Sequence, residues 1–414
     1  MKTTIKTLSI IIMISVFPIY GNILQSFGFI QSHKGNKNIY NPLAEEDFVV
    51  YVPDSFLMYG LDPNAAGNAT FEAFGVEKGV SVVVQRFPSM GDLIQTLIAQ
   101  KNNPIADVVL GIDEILIHDA KTEDILTPYT DFENENISSN LINDLDPEKY
   151  VVPMDYGPIA IIFDTEYITV AEYPRLENLT IDYLLEEFID DFVTQNPRLS
   201  STGLNFLLNQ IVFYQEILEK DWKEFWDKAK NEIIIDDSWD YSWERVFVKK
   251  EAHMMVSYGT DPAYNAFFNY SFEKNGVVLH DEDETKYGWI QIEGAGIVKG
   301  TTQKDLAKNF IDHLLSKEIQ EIIPTNNWMF PVNTAAELPP CYDYAIHPSN
   351  FTILNDFVSQ NYIKENYNTW LEEWRKTVYG GLWWLWITIS AAVVLIAGIV
   401  ATVIYIRRQR IDLD

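Results

Sequence analysis

Three hydroxyl residues stand in a row before a glycine, Ser200-Ser201-Thr202-Gly203, and an apolar stretch follows them. That is the signature of a helix start, whose first amide groups lack partners within the helix and suit an anionic oxygen. Capping uses one hydroxyl, so three in succession leave donors to spare. Asp113 closes the apolar run Ala106-Asp107-Val108-Val109-Leu110-Gly111-Ile112. A carboxylate at the carboxyl end of a buried strand lies where α/β folds bind ligands, and it can accept from an amino group or set a field for a cation. It is equally suited to cap a helix beginning at Glu114. Nucleophilic chemistry has one candidate, Cys341, which follows Leu338-Pro339-Pro340 and has no base signature nearby. The six histidines are scattered without metal-ligand spacing. No catalytic residue and no metal ligand is assigned.

The elements that must position these groups alternate. A buried strand at 47–52 ends in the turn-forming Pro53-Asp54-Ser55, and a helix near 68–74, a strand at 80–85, a helix at 90–100 and a strand at 106–111 follow. Strand, helix, strand at these spacings predicts parallel α/β construction with both sheet faces covered. A second α/β region follows Tyr150, with strands at 159–163, 233–235 and 254–258 and a long apolar helix at 203–218. The chain then rejoins the first region through 289–298 and a helix at 303–315. The segment 352–379 reads as helical, either packed on the body or forming a stalk. A chain of 414 residues exceeds what one core usually serves, so two lobes are expected.

The two ends lie outside that body. Lys2 and Lys6 precede the apolar run 8–17, the pattern of a secretory signal (1–24), and a polar spacer fills 25–46. An uncleaved N-terminal anchor is the other reading. Residues 382–406 carry no charge and are long enough to cross a membrane, with Trp383, Trp384 and Trp386 at one interface and Tyr405 at the other. Arg407, Arg408 and Arg410 follow, so the tail 407–414 is expected in the cytoplasm and the body outside. Acidic residues outnumber basic ones by 60 to 30, a net charge of −30 that repels nucleic acid and tolerates cationic ligands. Asn68, Asn136, Asn178, Asn269 and Asn350 each begin an Asn-X-Ser/Thr triplet, which in an exported domain suggests glycosylated surface loops.

Six strings carry a resemblance. They are Asp54-Ser55-Phe56; 106–113, ending at Asp113; Val152-Pro153-Met154-Asp155-Tyr156-Gly157; 196–203, ending Ser200-Ser201-Thr202-Gly203; 257–264, from Ser257-Tyr258-Gly259 to Tyr264; and 323–332, which contains Trp328. In this order they resemble the thiamine-binding proteins of bacterial ABC importers, over roughly residues 47 to 376. The resemblance implies a two-lobed, type II periplasmic-binding-protein clamp of class α/β. Its lobes would be 47–153, 154–258 and a return to the first lobe together with C-terminal helices at 259–376, with crossings near Pro153 to Tyr156 and near Tyr258 to Pro262.

It implies no cofactor and no enzymatic activity. Thiamine, its monophosphate or its diphosphate would be the transported ligand, and a permease with its ATPase the partners. Thiamine carries a permanent thiazolium charge, a flat aminopyrimidine and a hydroxyethyl arm. A quaternary nitrogen donates no hydrogen bond, so aromatic faces are its efficient partners, worth about 0.5 to 2 kcal/mol each.

Tyr59, Trp239, Tyr258, Tyr264 and Trp328 stand at or close to positions where the family uses aromatics. Tyr59 follows a one-residue gap and stands where the family commonly has Trp; Trp239 also needs a gap, with Trp243 the competing choice. Asp113 would serve the pyrimidine or the thiazolium, and Asp155 either the ligand or the hinge. Ser200 and Ser201 would receive the hydroxyethyl or phosphate end, although Thr202 replaces the proline many relatives have. Read without the resemblance, each aromatic is also a suitable core ring. Three other readings remain: a receptor of this fold for ferric iron, a polyamine or another solute; a thiamine-degrading enzyme using Cys341; and a surface adhesion or sensory protein that borrowed the clamp.

Overall fold

The run Phe48-Val49-Val50-Tyr51-Val52 is buried along its whole length, as a strand covered on both faces must be. Phe48, Val50 and Val52 enter one core with Phe74 and Phe310; Val49 and Tyr51 enter another with Leu93 and Ile94. The computed structural model describes residues 47–268 and 275–380. The expected signal, spacer, membrane helix 382–406 and cytoplasmic tail lie outside the described residues. Among the described residues no helix is long and apolar enough to cross a membrane.

Thirteen strands join in one hydrogen-bonded network: β1 (Phe48–Pro53), β2 (Val82–Phe87), β3 (Val108–Asp113), β4 (Leu126–Thr127), β5 (Val151–Asp164), β6 (Phe192–Gln195), β7 (Ile234–Asp236), β8 (Met254–Tyr258), β9 (Asn275–Val278), β10 (His280–Glu282), β11 (Thr285–Val298), β12 (Phe330–Pro331) and β13 (Thr352–Ile353). The main path runs β2-β1-β3-β11-β5-β8-β6-β7. In the first lobe β1 pairs parallel with β2 and β3, with the Met90–Gln100 helix packed on one face. In the second, β6 pairs parallel with β7 and β8, under the Ser201–Val212 helix. Two-lobed α/β architecture therefore follows directly from the pairing.

The long strands β5 and β11 thread both lobes. Val152 and Met154 of β5 lie in the first lobe's core, whereas Ile159, Ile161 and Phe163 lie in the second's. Trp289 of β11 is in the second core and Ala295 and Ile297 in the first. Their mutual register breaks between Glu293 and Gly294. Gly294 is required there, since a Cβ on it would stand 2.4 Å from Val151 Cγ1 and 2.6 Å from the Val152 carbonyl.

This moves the second crossing from the expected Tyr258 to Pro262 to Glu293 and Gly294. Tyr258 still pairs with Ile159 inside the second lobe, and β9 pairs with the same part of β5. Of the C-terminal helices expected within 259–376, the Gln360–Tyr379 helix packs on the second lobe. It buries Ile363, Tyr367, Trp370 and Trp374 at helical spacing, and Trp374 meets Trp226 edge-on at 5.7 Å. The segment is packed and forms no stalk.

Candidate functional site

Where the two long strands cross, three carboxyl groups share one row. Glu293 of β11 is the register partner of Asp113 at the end of β3 and of Asp155 in β5. Directly opposed residues of antiparallel strands share a face, so the three side chains form a ladder. Asp113 is buried; its Oδ1 accepts from the amides of Ile115 (3.1 Å) and Leu116 (2.9 Å), and so also caps the helix after β3. Asp155 is fully buried, and its Oδ2 accepts from Asn327 Nδ2 at 2.7 Å. Glu114 follows Asp113 and accepts from Trp289 Nε1 (2.9 Å) and the Ile292 amide (3.1 Å).

Burial drives these carboxyls toward the neutral form, and their neighbours add to it. Asp155 is pushed up to about 7 by desolvation, partly offset by Asn327. Asp113 is raised by desolvation. Glu114 is raised well above the usual range by desolvation and then by Asp113. Glu293 goes the same way, through desolvation and then through Asp155, Asp113 and Glu114.

Beside the ladder stands an aromatic wall. Asn327 joins the two, for its neighbour Trp328 packs in a cluster with Ala263, Phe330 and Tyr342. Trp328 holds φ +56°, a left-handed conformation uncommon for a bulky side chain. Its Nε1 donates to the Tyr59 carbonyl at 3.1 Å, and the Tyr59 amide donates to Asn326 O at 3.1 Å. The Leu57 amide also donates to Asn327 Oδ1, at 3.3 Å. The Tyr59 loop is thus fastened to the 326–328 segment while the residue as a whole stays 40% exposed. Its phenol is pushed up to about 12 by desolvation, then by Asp240 and Tyr264.

Tyr264 meets Trp328 edge-on at 5.0 Å and Trp243 at 6.4 Å, and Trp243 stacks on Trp239 at 5.2 Å. Trp239 is oriented by a relay: its Nε1 donates to Ser257 Oγ at 2.8 Å, and Ser257 donates to Asp261. Asp261 is itself pushed up to about 7 by burial, partly offset by Ser257. The competing alternatives Trp239 and Trp243 therefore stand side by side in one stack.

Tyr258 is placed differently from the other aromatics. Its hydroxyl donates to Gln291 Oε1 at 2.9 Å and lies 3.1 Å from Thr202 Oγ1, tying the hydroxyl loop to β11. Ser200 does the ordinary capping, its Oγ accepting from the Gly203 amide at 3.4 Å. Ser201 lies beside Asp113 and lowers it by hydrogen bonding. Gly203 lets the helix start press on β6, since a Cβ would stand 2.4 Å from the Gln195 carbonyl.

Sequence reasoning missed Glu114, Asp240, Asp261 and Glu293. Glu293 was legible as a charge ending the apolar strand 289–293, and Glu114 as half of an acidic doublet. Nothing in the order of residues signalled that β3, β5 and β11 would align three acids. Among the described residues no group of three or more His, Cys, Asp or Glu is arranged to hold a metal ion.

The model of the bacterial extracellular solute-binding protein family matches residues 103–348. The chain belongs to that family. The thiamine-binding periplasmic protein of Escherichia coli is 27% identical over 349 residues, 81% of this chain and 94% of that one. Its counterpart from Brucella melitensis is 25% identical over 337 residues, 80% of this chain and 92% of that one.

Among solved structures, a periplasmic thiamin binding protein superposes with a TM-score of 0.66 at 24% identity, covering 80% of this chain and 96% of that one. A ferric binding protein from Campylobacter jejuni gives 0.62 at 18%, covering 80% and 99%. These likenesses establish the fold. As a family member the chain is a solute-binding component of transport and not an enzyme. Cys341 is consistent with that: half-buried, its thiol is pushed up by desolvation, opposite to an activated nucleophile.

Proposed function

We propose that this protein captures thiamine outside the cell for an ABC importer. The observation that carries the reading is the junction at Asn327 and Trp328, where a wall of aromatic rings adjoins a ladder of buried carboxyls. A flat ligand with a permanent positive charge and no proton to donate on that nitrogen matches both halves: rings for its faces, carboxyls for its charge. The relatives named for thiamine support the same choice. In this reading Tyr59, Trp239, Tyr264 and Trp328 pack on the ligand, Asp113 acts on its charge or amino group, and Tyr258 holds the lobes in place. Ser200 and Ser201 line the end that takes the hydroxyethyl arm. Ligand bridging the lobes selects a closed form, which then docks on a permease with its ATPase.

Export by the segment 1–24 and anchoring by 382–406, with the body on the outer face, belong to this proposal. So does glycosylation at the exposed Asn68, Asn178 and Asn350. Membrane fractionation followed by protease treatment of intact cells tests the topology: the body is digested from outside and only the tail end is protected. Mass spectrometry of the ligand retained through a gentle purification tests the function. Thiamine is expected, and a different solute retained at full occupancy contradicts the reading.

A further inference from the structure

The Gln360–Tyr379 helix stays packed to its last turn. Val378 lies against the second lobe's core, and Tyr379 meets Trp374 edge-on at 5.6 Å. Only Gly380 and Gly381 then separate Tyr379 from Leu382, the first residue of the uncharged run 382–406. The steps from Tyr379 to Leu382 span at most about 11 Å even when fully extended. A membrane helix at 382–406 therefore leaves the body no room to stand off from the bilayer.

Which face is brought down follows from where the helix ends. Strands β6 and β7 are parallel and end level, with Gln195 opposite Asp236, so the segments that follow them leave the sheet at one edge. One leads into Ser200 and Ser201 and the other into Trp239, so this edge is the second lobe's lip of the ligand cleft. The C-terminal helix runs to the same edge. Arg198 Nη1 lies 4.0 Å from Glu372 Oε2, and about two turns further on Tyr379 has its phenol pushed up by burial and then by Asp237. Leu199 beside Arg198, Tyr241 beside Asp240, and Tyr379 itself are each more than half exposed. Exposed apolar side chains scattered singly are ordinary, whereas these gather where the uncharged run leaves the body. The charges around them, Arg198, Arg375 and Lys376 against Asp237, Asp240 and Glu372, balance, so nothing there selects an anionic surface.

We propose that the lip formed by Leu199, Tyr241 and Tyr379 rests in the headgroup layer of the membrane that holds 382–406, so that the ligand cleft is carried at the bilayer surface. The proposal rests on the anchor reading and adds to it a face of the body and a lipid partner. A tyrosine at that depth keeps its ring in the interface and its hydroxyl in water. Because the lip belongs to the second lobe, the first lobe is the one left free to move when the clamp closes.

The test uses the full-length chain with Cys341→Ala and one new cysteine at a time, each carrying a nitroxide. Leu199→Cys and Tyr241→Cys report on the lip, and Val76→Cys, on an exposed helix of the first lobe, is the control in water. In vesicles of phosphatidylcholine alone, with no permease present, a neutral nickel chelate in the buffer should relax the two lip labels at least about threefold less than the Val76 label. Equal relaxation at all three positions overturns the lipid contact, and the anchor reading stands if the chain resists alkaline extraction from the same vesicles. Protection that appears only in native membranes assigns the lip to a protein partner and overturns the lipid contact as well. A chain that alkaline extraction strips from the vesicles removes the anchor reading beneath the proposal.

Discussion

The indole of Trp328 donates to the backbone carbonyl of Tyr59 at 3.1 Å, joining segments 269 residues apart. The bond fastens the Tyr59 backbone to the buried Trp328 ring, so loss of the indole frees the Tyr59 loop, whereas loss of the phenol leaves the bond in place. Tyr264 meets that indole at 5.0 Å and is the better probe of binding, because it is only partly buried. Replacing Tyr264 by Ala should weaken thiamine binding at least about tenfold, or ~1.4 kcal/mol, within what aromatic contacts with a cation supply. Trp328→Ala should do the same and in addition lower the melting temperature, since it removes a buried ring. Calorimetry beside a thermal melt separates the effects, and normal binding by both variants contradicts the site.

Stability of the empty protein should fall as pH rises through the acid range. Asp155 and Asp261 sit at about 7, above the ordinary carboxyl value near 3.8, so the folded state holds more protons than the unfolded one between those limits. The contribution is complete below about pH 4 and is lost as pH climbs toward 7. For Asp155 it amounts to at most about 4 kcal/mol. Urea titrations between pH 5 and 8 on wild type and Asp155→Asn should show a shallower pH slope in the variant. Saturating thiamine should flatten the slope as well, because a bound cation lowers the same groups. Parallel slopes in all three would count against protonated carboxyls at the crossing.

The C-terminal helix should matter for stability and not for affinity. Trp374 is fully buried against Trp226, and truncating a buried Trp to Ala typically costs about 3 to 5 kcal/mol. Trp374→Ala should lower the unfolding free energy from urea titration by that amount while thiamine affinity per folded molecule stays within about twofold. A large loss of affinity at unchanged stability would place this helix in the site.

Cys341→Ala should bind thiamine as the wild type does. Incubated with thiamine and an added nucleophile, neither protein should consume the vitamin. Turnover that disappears in the variant would make the chain an enzyme.

Much of the architecture was legible because the signals were local. The strands around Val49 and Val109 are apolar runs bounded by turn residues, and the 90–100 helix was placed at its observed bounds, with Ser89 accepting from the Asp92 amide as its cap. The second crossing was not legible at Tyr258, because an apolar strand followed by a glycine looks alike whether the chain stays in its lobe or leaves it. What fixes the crossing is a register shift beside Gly294, a property of three strands together.

The rings that lie together around Tyr264 were each singled out in the sequence, down to the pair Trp239 and Trp243 between which the sequence could not choose. Their stacking explains why: both occupy one surface. The acid ladder was half visible in Asp113 and Asp155. Its central member, Glu293, acquires meaning only from what stands across the sheet on either side.

Binding of thiamine itself tests the central claim most directly. Calorimetry on the full-length chain, freed of retained ligand and titrated at pH 7.5, should give one site per chain with a dissociation constant below about 10 µM, or about −7 kcal/mol. Affinity should rise with pH between 6 and 8 as the carboxyls give up their protons. No heat of binding from thiamine, alongside saturable binding of spermidine or Fe³⁺ by the same preparation, would contradict the account.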